Sequence, residues 1–288
     1  MKIRHLSLIS LLSLLLFISS CKKDEEISVS HEVTQLPSDV TQLFKEKGNL
    51  SSNKVILYSN GGPDKELDTG YFDDLQLSNY HEVYVHQSNT LNPDVIGAKL
   101  NLTVEQAIRE NAVSVEILQK VAEHFKSEGK EVYIVGHSFG AILIPALIAK
   151  HKNIAKRYLI MAGRLDFPDK LWQEFNERRG YYFKDGVTLT SQNFSQGVSE
   201  TEKNETYARM RLQAGFGKNR YTTLLKDKDL SNVIYAYGQK DEPVGRLTKN
   251  EVDFLTSKNA TVIEIPNGGH GSMIDLPYRT NLTSELLK

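Results

Sequence analysis

Short apolar runs, spaced by turn-rich or amphipathic stretches, organise the chain from residue 54 onward. Lys54–Ser59, Glu82–His86, Glu131–Gly136, Arg157–Ala162, Asn232–Tyr237 and Thr261–Ile265 are rich in Val, Ile, Leu and Tyr and read as strands. Between the second and third, apolar positions recur at helical spacing from about Val104 to Lys126. Further helices are expected after the third strand, over Ala141 to Ala149, and over Leu247 to Lys258. Strands alternating with helices predict a mostly parallel, doubly wound sheet, and strands this apolar are covered on both faces. Ahead of them, Ile27 to about Asn53 is a polar lead-in, in which Pro37-Ser38-Asp39 starts a short helix that stops at Gly48.

The first twenty residues follow another pattern. Lys2 and Arg4 precede an apolar stretch from Leu6 to Ile18, which ends in Ser19-Ser20-Cys21. The stretch is shorter than the ~20 residues a bilayer span needs. It resembles a lipoprotein signal peptide with its lipobox, the alternative being an uncleaved anchor. The resemblance implies cleavage before Cys21 and acylation of that residue. It divides the chain into a signal peptide (1–20), a lipidated cysteine with a polar tether (21–53) and a folded domain (54–288). Lys22-Lys23-Asp24-Glu25-Glu26 resembles the signal that sends some Gram-negative lipoproteins to the outer face of the outer membrane. The expected location is therefore the bacterial cell envelope, lipid-anchored in the outer membrane and displayed at the surface.

Composition narrows the chemistry. With 35 basic and 36 acidic residues the formal net charge is −1, which gives no electrostatic pull toward nucleic acid. Cys21 is the single cysteine, so no disulfide or thiolate catalysis is available. Phosphate-loop, dinucleotide and H-E-x-x-H motifs are absent and the histidines lack metal-ligand spacing, so no cofactor and no metal is expected.

The most informative segment is Gly136-His137-Ser138-Phe139-Gly140, set between a predicted strand and a predicted helix. A serine on such a sharp turn is lifted clear of the sheet, and the glycines let strand and helix approach. The segment resembles the nucleophile elbow of the α/β-hydrolase fold. That resemblance implies a catalytic Ser138, followed in chain order by an acid and a histidine. Of the eight histidines only His151 and His270 follow the elbow, and His151 falls in the lysine-rich end of a helix. His270, on the glycine-rich loop after Thr261–Ile265, is the expected base. Gly238-Gln239-Lys240-Asp241-Glu242-Pro243-Val244 resembles the segment where this family keeps its aspartate, so Asp241 is the expected acid. Glu242 points elsewhere, Asp253 lies in a helix, and Asp166 is the runner-up. Lys54–Ser59 runs into Asn60-Gly61-Gly62-Pro63, similar to the His-Gly-Gly-Pro-Gly loop of proline-iminopeptidase-like hydrolases, with Asn60 and Asp64 departing from it. The resemblance implies an oxyanion hole made by the amides of Phe139 and Gly62, with Gly61 the alternative donor, since Pro63 has no N–H.

The interval from about 164 to 230 breaks the alternation. It carries Trp172, several tyrosines and phenylalanines, and arginines 178, 179, 209, 211 and 220. In this family that position holds a cap, usually helical, which selects the substrate. Its aromatics either line a pocket or form the cap's own core, and its arginines either hold a substrate carboxylate or are solvated. The overall reading is a serine hydrolase acting on a small carboxylic ester, thioester or amide. An aminopeptidase-like serine peptidase is the second reading, with Glu174, Glu177, Glu202 and Glu205 available to hold an α-amine. A surface binding lipoprotein that kept the scaffold without the chemistry is the third.

Overall fold

The structure is a computed structural model and describes residues 32–97, 102–192, 197–275 and 278–288. The expected signal peptide, Cys21 and the charged tether lie outside the described residues. Among the described residues no helix is long and apolar enough to cross a membrane.

In chain order the elements are β1 (Phe44–Gly48), β2 (Lys54–Ser59), β3 (His81–Val85), α1 (Ser88–Leu91), α2 (Val104–Ser127), β4 (Glu131–His137), α3 (Phe139–Lys150) and β5 (Arg157–Met161). Then come α4 (Asp169–Asn176), β6 (Gly180–Lys184), β7 (Thr188–Gln192), α5 (Glu200–Ala214), α6 (Tyr221–Leu224), β8 (Val233–Gly238), α7 (Lys249–Ser257), β9 (Thr261–Ile265) and α8 (Tyr278–Leu287). Seven strands form one sheet in the order β1-β3-β2-β4-β5-β8-β9. Only the β1–β3 pairing in that sheet is antiparallel. The predicted strands therefore recur within one or two residues of their expected ends, as the mostly parallel sheet requires.

Alternate residues of the central strands feed two separate cores. Val55, Leu57, Val132, Ile134 and Ile160 face the layer holding α2, α3 and α7. Ile56, Tyr58, Tyr133, Val135 and Leu159 face the other, covered by α8 and the long β2–β3 connection through Phe72 and Leu75. Each face excludes water from one half of the central strands, and burying a Val, Leu or Ile side chain stabilises by roughly 1.5–3 kcal/mol. α2 opens with a capping box between Thr103 and Gln106 and turns its apolar stripe to this core. α3 is buried on almost every side, because it lies between the sheet and its neighbouring helices.

Two elements differ from the sequence expectation. Asp39 does cap a turn, its carboxylate accepting from the Thr41 amide, but only a 3-10 turn at Val40–Leu43 follows. The chain then extends as β1, pairing with β3, because Leu43 and Phe44 bury themselves in the core. The expected helix to Gly48 is therefore a turn and an edge strand. In the interval expected to be helical, β6 and β7 form an antiparallel hairpin between α4 and α5. Asp185 and Gly186 at its tip both take positive φ, the conformation that Asp-Gly favours in tight hairpins.

Candidate active site

Ser138 occupies the turn from β4 into α3, with φ 55° and ψ −121°. This backbone conformation is costly for a non-glycine residue, and it persists because its surroundings over-determine it. The Ser138 amide donates to the Met161 carbonyl at the end of β5 (3.0 Å), tying the turn to the next strand. The flanking glycines are explained by space. A Cβ on Gly140 would collide with the Ser59 and Asn60 carbonyls, and one on Gly136 would lie 2.6 Å from the Gly140 carbonyl oxygen.

Asp241 follows β8 and His270 follows β9, and these strands are neighbours in the sheet. Their loops are stitched together: Lys240 donates its amide to Gly268 (2.8 Å) and Gln239 to Ile265 (3.1 Å). His270 Nδ1 thereby sits 2.9 and 3.0 Å from the two carboxylate oxygens of the fully buried Asp241. The Val244 amide donates to the same carboxylate at 3.0 Å. Among the described residues no hydrogen bond joins the Ser138 hydroxyl to the His270 ring, and such bonds are often long before substrate arrives.

Asp166 is engaged elsewhere, accepting from the Thr222 amide and hydroxyl at the start of α6. His151 caps the C-terminus of α3. The structure brings neither of them to the Asp241–His270 pair.

The loop after β2 packs on the elbow: a Cβ added to Gly61 would lie 3.3 Å from the Ser138 Cβ and would overlap the Tyr71 hydroxyl. Gly62 takes φ 127° and the Gly62–Pro63 peptide is cis. The amides of Phe139 and Gly62 donate to no acceptor among the described residues, so both are available to an anionic oxygen. Buried polar side chains hold this loop in place. Gln87 donates to the Asn60 carbonyl (2.7 Å), Asn89 to the Asp64 carbonyl (2.6 Å), and Asn60 itself to the Asp68 carbonyl (2.7 Å).

The cap sits on both loops. Phe183 of β6 donates its amide to the Glu242 carbonyl (2.7 Å), and Arg246 donates its amide to Gly186 (2.9 Å). From α5, Arg209 Nε donates to the Pro63 carbonyl (3.0 Å), while Glu205 pairs with Lys65. Phe175, Phe183, Phe216 and Tyr221 are buried in the same apolar cluster as α2 and α3, so they form no separate cap core, and Phe216 meets the Phe139 ring edge-on. Tyr181, Tyr182, Arg209 and Glu242 line a cavity of about 830 Å³ that flanks the site. Of the arginines singled out, Arg220 pairs with Asp169, Arg179 with Glu174 and Glu177, and Arg178 lies over the Tyr207 ring.

Two residues of the site carried no sequence signal strong enough to single them out. His137, just before Ser138 and 4% exposed, meets the His270 carbonyl oxygen with Nε2 (2.8 Å) and the Tyr71 hydroxyl with Nδ1 (2.7 Å). Burial, with the neighbouring His270 ring, pulls its pKa down to about 4. Burial, with Asp64 nearby, pushes the Tyr71 phenol up to about 12.

Known structures share this architecture. MGS-M2, an alpha/beta hydrolase enzyme from a Medee basin deep-sea metagenome library, is similar at TM-score 0.57 and 16% identity, over 85% of this chain and 94% of that one. The proline iminopeptidase-related protein from Thermus thermophilus is similar at TM-score 0.55 and 17% identity, over 88% and 98%. A lipase-esterase related protein from Clostridium acetobutylicum follows at TM-score 0.52 and 11% identity, over 84% and 96%. At these identities the likeness is one of fold. A sequence comparison with curated proteins finds no match. The model of the Alpha/beta hydrolase family matches residues 89–280, and the chain belongs to that family.

Proposed function

We propose that the chain is a serine hydrolase that cleaves a small carboxylic ester through an acyl-enzyme. The observation that carries this reading is the two-oxygen contact of buried Asp241 with His270 Nδ1, on loops adjoining a serine held at positive φ. The carboxylate fixes the proton on Nδ1, leaving Nε2 as the base. Ser138 Oγ attacks the carbonyl carbon and its proton passes to His270 Nε2. The carbonyl oxygen becomes an anion that accepts hydrogen bonds from the Phe139 and Gly62 amides. Collapse breaks the ester C–O bond, and His270 returns the proton to the leaving alcohol. Water, deprotonated by the same imidazole, then releases the acid and restores Ser138.

An ester is favoured over an aminoacyl substrate because the cap glutamates are already engaged. Glu174 and Glu177 pair with Arg179, Glu202 closes the capping box of α5 with Ser199, and Glu205 pairs with Lys65 and Arg209. Acylation of Cys21 and attachment to the outer membrane complete the proposal. Incorporation of a labelled fatty acid that Cys21→Ser abolishes tests the anchor, and protease shaving of intact cells tests surface display.

Fluorophosphonate labelling of the purified full chain tests the chemistry. Labelling of native protein, lost in Ser138→Ala and after heat denaturation, is the expected result. A native chain that never labels would favour the binding-lipoprotein reading. Comparing acyl esters with aminoacyl arylamides separates esterase from peptidase.

A further inference from the structure

His137 and Tyr71 make a connection that the proposed chemistry does not use. The His270 carbonyl oxygen can only accept a hydrogen bond, so the His137 nitrogen 2.8 Å away, Nε2, carries the proton. In a neutral ring Nδ1 is then bare, and the Tyr71 hydroxyl 2.7 Å away donates to it. That hydroxyl lies against the Gly61 backbone, where no Cβ fits. One chain of contacts thus runs from the loop after β2, through Tyr71, to the residue before Ser138, and on to the backbone of the base.

We propose that Tyr71 and His137 are positioning residues that hold the oxyanion loop, the elbow and the His270 loop in one register. The inference rests on the serine-hydrolase reading for its consequence in catalysis. Its geometry is independent of that reading. Pre-set distances matter because a displacement of about 1 Å between nucleophile and base costs on the order of 100-fold in rate. The His137 and His270 rings lie 4.9 Å apart. A neutral His137 therefore spares the developing His270 imidazolium a second positive charge.

The test compares wild type, Tyr71→Phe, His137→Leu and His137→Gln in the full chain. Gln carries an N–H that reaches the same carbonyl, whereas Leu does not. His137→Leu is expected to slow Ser138 labelling by a fluorophosphonate, and to lower kcat, by about 10- to 100-fold with KM little changed. His137→Gln is expected to recover most of that loss. Equal rates for the Leu and Gln variants, whether slowed or not, overturn the proposal. Nitrogen-15 spectra of the histidine rings decide it a second way. Wild-type His137 is expected as the Nε2–H tautomer from pH 5 to 8, with the His270 ring signals shifting in Tyr71→Phe. A His137 that titrates near its usual pH, or His270 signals unmoved in both Tyr71→Phe and His137→Leu, overturns it. If wild type does not label at all, the hydrolase reading falls, and the spectra alone settle whether the three loops are coupled.

Discussion

His270 Nδ1 faces both carboxylate oxygens of Asp241, at 2.9 and 3.0 Å, and the carboxylate is wholly buried. An amide in its place offers one acceptor and one donor, so half of its orientations turn the imidazole to the wrong tautomer. Asp241→Asn is expected to lower kcat/KM toward an activated ester by roughly 10⁴-fold. Asp166→Asn should stay near wild type, since that carboxylate serves Thr222. Steady-state kinetics on the two variants distinguish the acid from its runner-up.

Ser138 holds a strained backbone. Glycine tolerates φ 55° without a Cβ penalty, so Ser138→Gly should raise unfolding stability by about 1 kcal/mol while abolishing labelling. Urea unfolding measures the first effect and fluorophosphonate labelling the second. A variant less stable than wild type would mean that the turn is relaxed with serine in place.

His137 makes stability depend on pH. Its folded pKa of about 4 lies below the usual histidine value near 6.5, because burial disfavours the charged ring. Between those two values the unfolded chain binds the extra proton and the folded chain does not. The contribution is therefore complete above pH 6.5 and is lost as pH falls toward 4, amounting to about 3 kcal/mol. Urea midpoints at pH 7 and pH 4.5 should show a smaller pH loss in His137→Gln than in wild type.

Glu251 is 2% exposed and binds Arg164 at 3.1 Å, the Leu165 and Asp166 amides, and the Thr248 cap. It ties α7 to the first residues of the cap. Glu251→Ala leaves Arg164 charged and buried, and is expected to cost about 3–5 kcal/mol. A loss under about 1 kcal/mol by urea unfolding would show that this tie is dispensable.

Much of the fold was legible because its signals are local. Val132-Tyr133-Ile134-Val135 is a buried strand by composition, and Gly136 and Gly140 announce a turn in which a chain crosses closely. β1 is not legible in the sequence because Lys45, Glu46 and Lys47 look like a solvated helix, and only Leu43, Phe44 and the free edge of β3 recruit the segment to the sheet. The cap hairpin did carry a signal in Asp185-Gly186.

The sequence by itself determined the chain order of three strand-following loops, carrying Ser138, Asp241 and His270. Each depends on neighbours within a few residues. Only the tertiary structure decided that Asp241 rather than Asp166 meets His270, that Glu205 of the cap pairs with Lys65, and that His137 reaches back to the His270 carbonyl, 133 residues away in the chain. Such pairings depend on which strands lie side by side and on which polar groups burial forces into partnership. Neither property belongs to any short stretch of residues.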